Sequence, residues 1–232
     1  PNTVSSWRTV NPLNTARDYM GGAGIATAAL SFGGETPPVT AITESWNGTS
    51  WTEVNDLNTA RSTNHSGAYN DGIAAGGYVA PGAGAYIDNV ETWNGTSWTE
   101  TTEINTARGT AGSSGASEEA FLLFGGENPG SSASQKTENW NGSAWTEVGD
   151  LGTPHTSTLG GAGTNTAALA FGGSTAPGPR SAATEEWSFP SSPILVEGML
   201  FLSGGTTLKG FGKAAGVPAA TWASGGALNT GR

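Results

Sequence analysis

Few side chains in this sequence could take part in chemistry. The chain has two histidines, His65 and His155, and no cysteine. The two histidines occupy different offsets within the repeats described below, so they do not form a regular pair of metal ligands. Thiolate metal sites and disulfides require cysteine and are excluded. We therefore expect no catalytic metal, no cofactor and no enzymatic activity.

Glutamates and arginines recur in step with each other. Four glutamates are spaced 47 residues apart, and three arginines follow nearly the same interval. The glutamates are Glu44, Glu91, Glu138 and Glu185, and the arginines are Arg17, Arg61 and Arg108. A catalytic residue repeated four times would be unusual, whereas a guanidinium matches a carboxylate in geometry and charge. The spacing therefore predicts a repeated structural ion pair.

Side chains suited to recognition occur in segments that differ between the repeats. These segments begin at residues 35, 78, 127 and 174, and most combine proline with glycine, alanine or serine, which is typical of ordered exposed loops. Aromatic faces beside short polar groups suit sugars or protein edges. The residues that we expect to contact a ligand or partner are Tyr78, Tyr86, Asp88, Glu127, Asn128 and Arg180. Contact with neighbouring subunits alone is an equally good interpretation of these loops.

The composition limits the partners. The formal net charge is −10 and only 12% of the residues are charged, so the chain lacks the basic surface that binds nucleic acid or anionic lipid. No apolar run approaches the roughly 20 residues that cross a bilayer. We expect no nucleic-acid partner and no membrane insertion.

The elements that must position these side chains follow from a tryptophan repeat. The hexapeptide WNGTSW at residues 46–51 returns at 93–98 and, as WNGSAW, at 140–145. One set, Trp46, Trp93, Trp140 and Trp187, ends a predicted third strand in each unit. A second set, Trp7, Trp51, Trp98 and Trp145, begins a predicted fourth strand.

Asn-Gly between strand-forming residues predicts a hairpin in each repeat. With a two-residue loop in a type I′ turn, Glu44 would face Trp51; with the four-residue loop 47–50, Trp46 and Trp51 would be directly opposed. Either register places both tryptophan rings on one face of the hairpin. Such a face must pack on the next repeat, because a single unit cannot cover it.

Each repeat of about 47 residues is predicted to contain four short strands, and the chain is expected to be all-β. The first strand is rich in glycine and alanine, as in YMGGAGI from residue 19, and the second ends in a Gly-Gly doublet, as in AALSFGG from 28. Small residues in the first strand suit a crowded axis where several units converge.

The ordered features resemble the kelch-type β-propeller family: an arginine, a glycine-rich strand, an apolar run ending in Gly-Gly, a glutamate and two aromatic positions. The resemblance covers residues 7–187. It implies a propeller of four-stranded antiparallel blades. Departures are Trp in place of the more usual Tyr at the third-strand position, Ala75 where other units have Phe, and His155 at the arginine position.

We expect the ring to close with four blades. The strand around Trp7 could complete the unit of Trp187, which gives a four-bladed propeller at residues 1–190. Residues 191–232 would then be a connecting hairpin followed by the first strand of a further repeat, because Trp222 to Arg232 matches Trp51 to Arg61 in register. Alternatively, residues 191–232 are a degenerate blade and the propeller has five.

Part of the C-terminal segment suggests a context. The stretch EGMLFLSGGTTLKGF from residue 197 resembles a short hairpin common in tail and fibre proteins of tailed bacteriophages. The resemblance implies a virion surface or extracellular protein with a structural or adhesive role. We expect it to form an oligomer through contacts with subunits of the same or a larger assembly, with a host-surface glycan as a second expected partner. The alternative is a carbohydrate-binding propeller lectin.

Overall fold

The protein is all-β, as predicted. The structure, a computed structural model, describes residues 7–63, 67–79, 85–130, 132–175, 178–189, 200–203 and 207–210. No helix occurs among these residues, and so none that could span a membrane. The chain divides into two compact units, Pro1–Ser188 and Phe189–Arg232.

The first unit contains four antiparallel sheets, one for each sequence repeat. Sheet 1 consists of β1 (Gly21–Ile25), β2 (Ala28–Phe32), β3 (Thr43–Trp46) and β4 (Trp51–Glu53). Sheet 2 consists of β5 (Gly67–Ala68), β6 (Asp71–Ala75), β7 (Val90–Trp93) and β8 (Trp98–Thr101). Sheet 3 consists of β9 (Gly112–Ser117), β10 (Ala120–Phe124), β13 (Thr137–Trp140) and β14 (Trp145–Glu147), with the separate ribbon β11 (Glu127–Asn128) and β12 (Ser132–Ala133) in its loop.

Sheet 4 has three strands among the described residues, β15 (Ser157–Gly163), β16 (Ala167–Ser174) and β17 (Thr184–Ser188). Trp7, expected to pack as a fourth-strand residue, lies outside any strand and its side chain is fully exposed. A strand forms only where a neighbouring strand accepts its backbone hydrogen bonds, and in the described part of the chain none joins residues 7–12 to β17. Residues 1–6 lie outside the described part, so the closure and the number of blades remain predictions.

The hairpins have the directly opposed register. Trp46 pairs with Trp51, and the same holds for Trp93 with Trp98 and Trp140 with Trp145. The loop has four residues because Asn47 Oδ1 accepts bonds from the backbone N–H groups of Thr49 and Ser50, both at 2.9 Å. Only Gly48 takes a positive φ, so the two-residue type I′ turn is not used.

Three hydrophobic cores lie between consecutive sheets. The core between sheets 1 and 2 contains Leu30 and Phe32 of β2 beneath Trp93 and Trp98. Equivalent cores join sheet 2 to sheet 3 and sheet 3 to sheet 4. The first strands are neighbours in the order β1, β5, β9, β15, and a Cβ at Gly161 would lie 2.0 Å from the carbonyl oxygen of Ser113. Glycine in the first strand therefore permits close approach of adjacent sheets.

The second unit contains the hairpin of β18 (Leu200–Ser203) and β19 (Thr207–Gly210). The predicted further repeat at residues 222–232 lies outside the described residues.

Candidate functional site

The connections between sheets are held by buried carboxylates. We call residues 13–17, 57–61, 104–108 and 151–155 the clamp turns. Glu91 Oε2 accepts a bond from the backbone N–H of Asn58 at 2.7 Å, and Glu91 Oε1 accepts one from Thr59 at 3.1 Å. The same turn donates from Leu57 and Arg61 to the carbonyls of Ala41 and Thr40 on the sheet 1 side. The clamp turns of the second, third and fourth repeats therefore tie their own sheets to the preceding connections.

In three of the four repeats an arginine pairs with the same glutamate. We call the clamp turn, its glutamate and this arginine together the clamp. Arg61 Nη2 donates to Glu91 Oε1 at 2.7 Å, and Arg17 bonds Glu44 in the same way. Arg108 Nη2 lies 2.9 Å from Glu138 Oε1 as an ion pair without hydrogen-bond alignment. In the fourth repeat His155 is buried, and Glu185 accepts bonds from the backbone N–H groups of Gly152 and Thr153.

The clamp controls ionisation of its members. Burial alone would raise the pKa of Glu44, but hydrogen bonds from Asn14, Arg17 and Thr15, with the charge of Arg17, hold this pKa below its usual value. Burial lowers the pKa of Arg61, while the charge of Glu91 acts in the opposite direction. Glu44 is thus an ionised acceptor in a structural contact.

At the edge with the Gly-Gly doublets, which we call the loop face, each repeat forms a short backbone ladder. Ser62 pairs with Tyr78, and Tyr78 pairs with Tyr86. Equivalent ladders link Asp18, Glu35 and Val39 in the first repeat. The variable loops are thus fixed at their bases by hydrogen bonds.

This ladder requires glycine at the second position of the Gly-Gly doublet. Gly77 has a φ of 111°, and a Cβ there would lie 2.1 Å from the carbonyl oxygen of Ser62. Gly34 and Gly126 are also at positive φ, and their Cβ positions would lie 2.5 and 2.6 Å from the corresponding carbonyl oxygens. Any side chain would separate the loop from the preceding connection.

Three of the candidate residues come together on the loop face. The rings of Tyr78 and Tyr86 meet edge to face with centroids 6.3 Å apart. The Tyr86 hydroxyl donates a hydrogen bond to the carboxylate of Glu127 from the next repeat. Burial, that bond and the Glu127 charge all raise the pKa of Tyr86, so the phenol stays protonated at neutral pH. We call Tyr78, Tyr86 and Glu127 the tyrosine cluster.

Asn128 follows Glu127 in the chain, but among the described residues no contact given by the structure joins its side chain to the two tyrosines. The residue is half-buried in β11, and its Oδ1 atom is buried without a hydrogen-bond partner among the described residues. The cluster itself therefore offers two tyrosine rings and a carboxylate.

The remaining two candidates are elsewhere. Asp88 is half-buried, and its backbone carbonyl accepts a bond from Ile104. Arg180 is exposed in the loop of the fourth repeat, where it pairs with Ser174. In the described part of the chain, no hydrogen bond or ion pair given by the structure joins the Asp88 or Arg180 side chain to the tyrosine cluster.

Sequence reasoning missed the residue that makes room for the cluster. The Tyr86 ring lies over Gly109, where a Cβ would be 2.8 Å from the ring. Gly109 directly follows Arg108, and the equivalent positions carry Asp18, Ser62 and Thr156. The signal in the sequence was that this repeat has glycine at a position where the other three repeats carry a side chain.

Among the described residues, no group of three or more His, Asp or Glu side chains could hold a metal ion. Comparison with known proteins finds no family model and no curated protein that matches the chain.

Proposed function

We propose that the four sheets are consecutive blades of a kelch-like β-propeller, and that the protein is a non-enzymatic structural and adhesion component of a virion surface. It acts through protein–protein contacts made by a repeated frame with variable loops. The observation that carries this proposal is that the repeated residues hold the frame together, while the residues that vary lie in the loops. Every repeated glutamate is engaged in a clamp, and the side chains that differ between the repeats lie in loops with fixed bases.

The virion context rests on the C-terminal hairpin. The stretch that resembles a hairpin of phage tail and fibre proteins forms two antiparallel strands, β18 and β19, with Leu200 opposite Gly210. This pairing supports the hairpin on which the resemblance rests; the extracellular location is part of the proposal.

The test is the light-scattering mass of the purified chain across a concentration series, with electron microscopy of the products. We expect defined oligomers or filaments that grow with concentration. A monomer at every concentration would contradict the structural role.

A carbohydrate-binding lectin is a second candidate, and the tyrosine cluster specifically favours it. Tyrosine rings beside a carboxylate are suited to the apolar faces and hydroxyl groups of a sugar. A glycan array would show binding that Tyr86→Ala abolishes. Tyr19→Ala is the matched control, because Tyr19 is 62% exposed in another repeat. Signal equal to background for folded wild-type protein would remove this candidate.

A further inference from the structure

The three junctions between sheets share one composition. Each junction has two halves, which we call donor and acceptor; these names describe packing and not hydrogen bonding. The donor half comes from the earlier sheet and is formed by two side chains of its second strand. The acceptor half comes from the later sheet and is formed by the apolar residue of its clamp turn and by its tryptophans, of which the third junction has only Trp187 among the described residues. At the first junction Leu30 and Phe32 are the donor half, and Trp93, Trp98 and Leu57 are in the acceptor half. The Phe32 and Trp98 rings have centroids 4.8 Å apart.

Sheet 4 carries a donor half that nothing in the described part of the chain covers. Leu169 and Phe171 of β16 are 42% and 43% exposed, whereas their equivalents Leu30 and Phe32 are 1% and 0% exposed. The opposite face of β16 is buried against sheet 3 through Ala168 and Ala170. The exposed face is therefore a complete donor half without an acceptor.

Sheet 1 carries the reverse, an acceptor half without a donor. A cleft of about 660 Å³ is lined by Leu13, Met20, Ala29 and Trp51, among others. Met20 is 38% exposed. Leu13 and Trp51 are half-buried, while the equivalent Leu57 and Trp98 are 4% and 6% exposed.

A hydrogen bond is also missing at the uncovered acceptor half. In the first junction Trp98 Nε1 donates to Thr43 Oγ1 at 3.0 Å. In the second, Trp145 Nε1 donates to the carbonyl oxygen of Thr102 at 3.0 Å. Within the described residues, the indole N–H of Trp51 has no such acceptor. Thr184, at the repeat position of Thr43, is exposed on the donor half of sheet 4.

We propose that the donor half of sheet 4 in one molecule packs on the acceptor half of sheet 1 in a second copy, with Trp51 Nε1 bonded to Thr184 Oγ1. This inference deepens the proposed function, on which it rests, by naming the partner and the interface. The two halves already fit each other three times within one chain, so the contact continues an established interface.

The geometry of the contact determines the kind of assembly. The two surfaces differ, so the interface is heterologous, and repeating it gives a closed ring or an open filament. Because each molecule has a formal net charge of −10, mutual repulsion opposes association and salt screens it. Association should therefore strengthen when the salt concentration is raised.

The experiment blocks each half separately in the full chain. Phe171→Glu places a charge on the donor half and leaves the acceptor half free; Met20→Glu does the opposite. Ile25→Glu is the control, because Ile25 is a 69% exposed apolar residue at the turn end of sheet 1, outside the cleft lining. Sedimentation velocity is measured for wild type and each variant, at low and high salt, after melting curves have shown that each is folded.

The expected result is that wild type and Ile25→Glu form oligomers, and that each blocking variant alone is monomeric. An equimolar mixture of the two blocking variants should give dimers and nothing larger, since each supplies one free half. Thr184→Val should weaken wild-type association by about threefold to tenfold, the range expected for one hydrogen bond of about 1 kcal/mol.

Two results would overturn the inference. Wild-type oligomers that persist in both blocking variants would show that another surface assembles the protein, and the proposed structural function would stand. A wild-type monomer at all concentrations and salt conditions would contradict both the inference and the assembly on which the proposed function depends.

Discussion

The buried glutamates act as replacements for backbone acceptors. Glu44, Glu91 and Glu138 each accept backbone N–H bonds from a clamp turn and also face an arginine. The common period of Glu and Arg predicted their pairing from sequence. It could not predict the backbone bonds, because periodicity does not indicate which way a carboxylate points.

Glu91→Gln should destabilise the fold strongly. The change leaves the buried charge of Arg61 without a counter-ion, which typically costs about 3 to 5 kcal/mol. Urea unfolding would measure it. Glu100→Gln is the matched control, because Glu100 pairs directly with Glu91 across β7 and β8 but is exposed. Equal midpoints for the two variants would contradict the structural role of the clamp.

At the scale of the element, strand order and hairpin position followed from sequence, and loop geometry did not. Trp46 and Trp51 allowed two registers, and the choice depended on the side chain of Asn47, which caps the loop through two backbone bonds. An Asx bond of this kind competes with the type I′ turn that Asn-Gly otherwise favours.

Trp98→Ala should reduce the free energy of unfolding by about 3 to 5 kcal/mol, because the side chain is 6% exposed and spans the first junction. Trp7→Ala is the same chemical change at a fully exposed side chain and should leave the melting temperature within a degree or two of wild type. Calorimetry of the two variants checks the contrast. A large loss of stability in Trp7→Ala would show that Trp7 is packed in solution.

Gly161→Ala should be more damaging than Gly22→Ala, although the two glycines occupy the same repeat position. At Gly161 the new methyl group would meet the Ser113 carbonyl at 2.0 Å, whereas at Gly22 the nearest atom would be 3.7 Å away. Overpacking of this kind costs about 1 to 3 kcal/mol, and denaturant melts would reveal it. Equal effects at both sites would indicate that the first strands are not in close contact.

For the whole molecule, the sequence predicted the repeat and the β class. It did not predict that apolar side chains of the first and last sheets are exposed. Leu169 and Phe171 have the same apolar character as Leu30 and Phe32, so their sequence predicts burial. Their exposure depends on what lies beside sheet 4, and that is a property of the neighbouring surface and not of the strand.

The protection of backbone amides from hydrogen exchange should depend on whether a sheet is packed on one face or on both. Among the described residues, sheet 3 has a hydrophobic core on both faces, while sheet 4 has one on a single face. Hydrogen exchange at β10 should therefore be slower than at the equivalent residues of β16 in a dilute, monomeric sample. Identical rates would show that the sheets open as one cooperative unit.

The clamp has a consequence for how such a protein can change its length in evolution. Each 47-residue stretch contains one clamp turn and one glutamate to receive the clamp of a turn. A gene duplication that copies such a stretch, wherever its end points fall, adds both in equal number. The array can therefore gain or lose whole repeats without leaving a buried carboxylate unmatched, and selection is free to act on the loops alone.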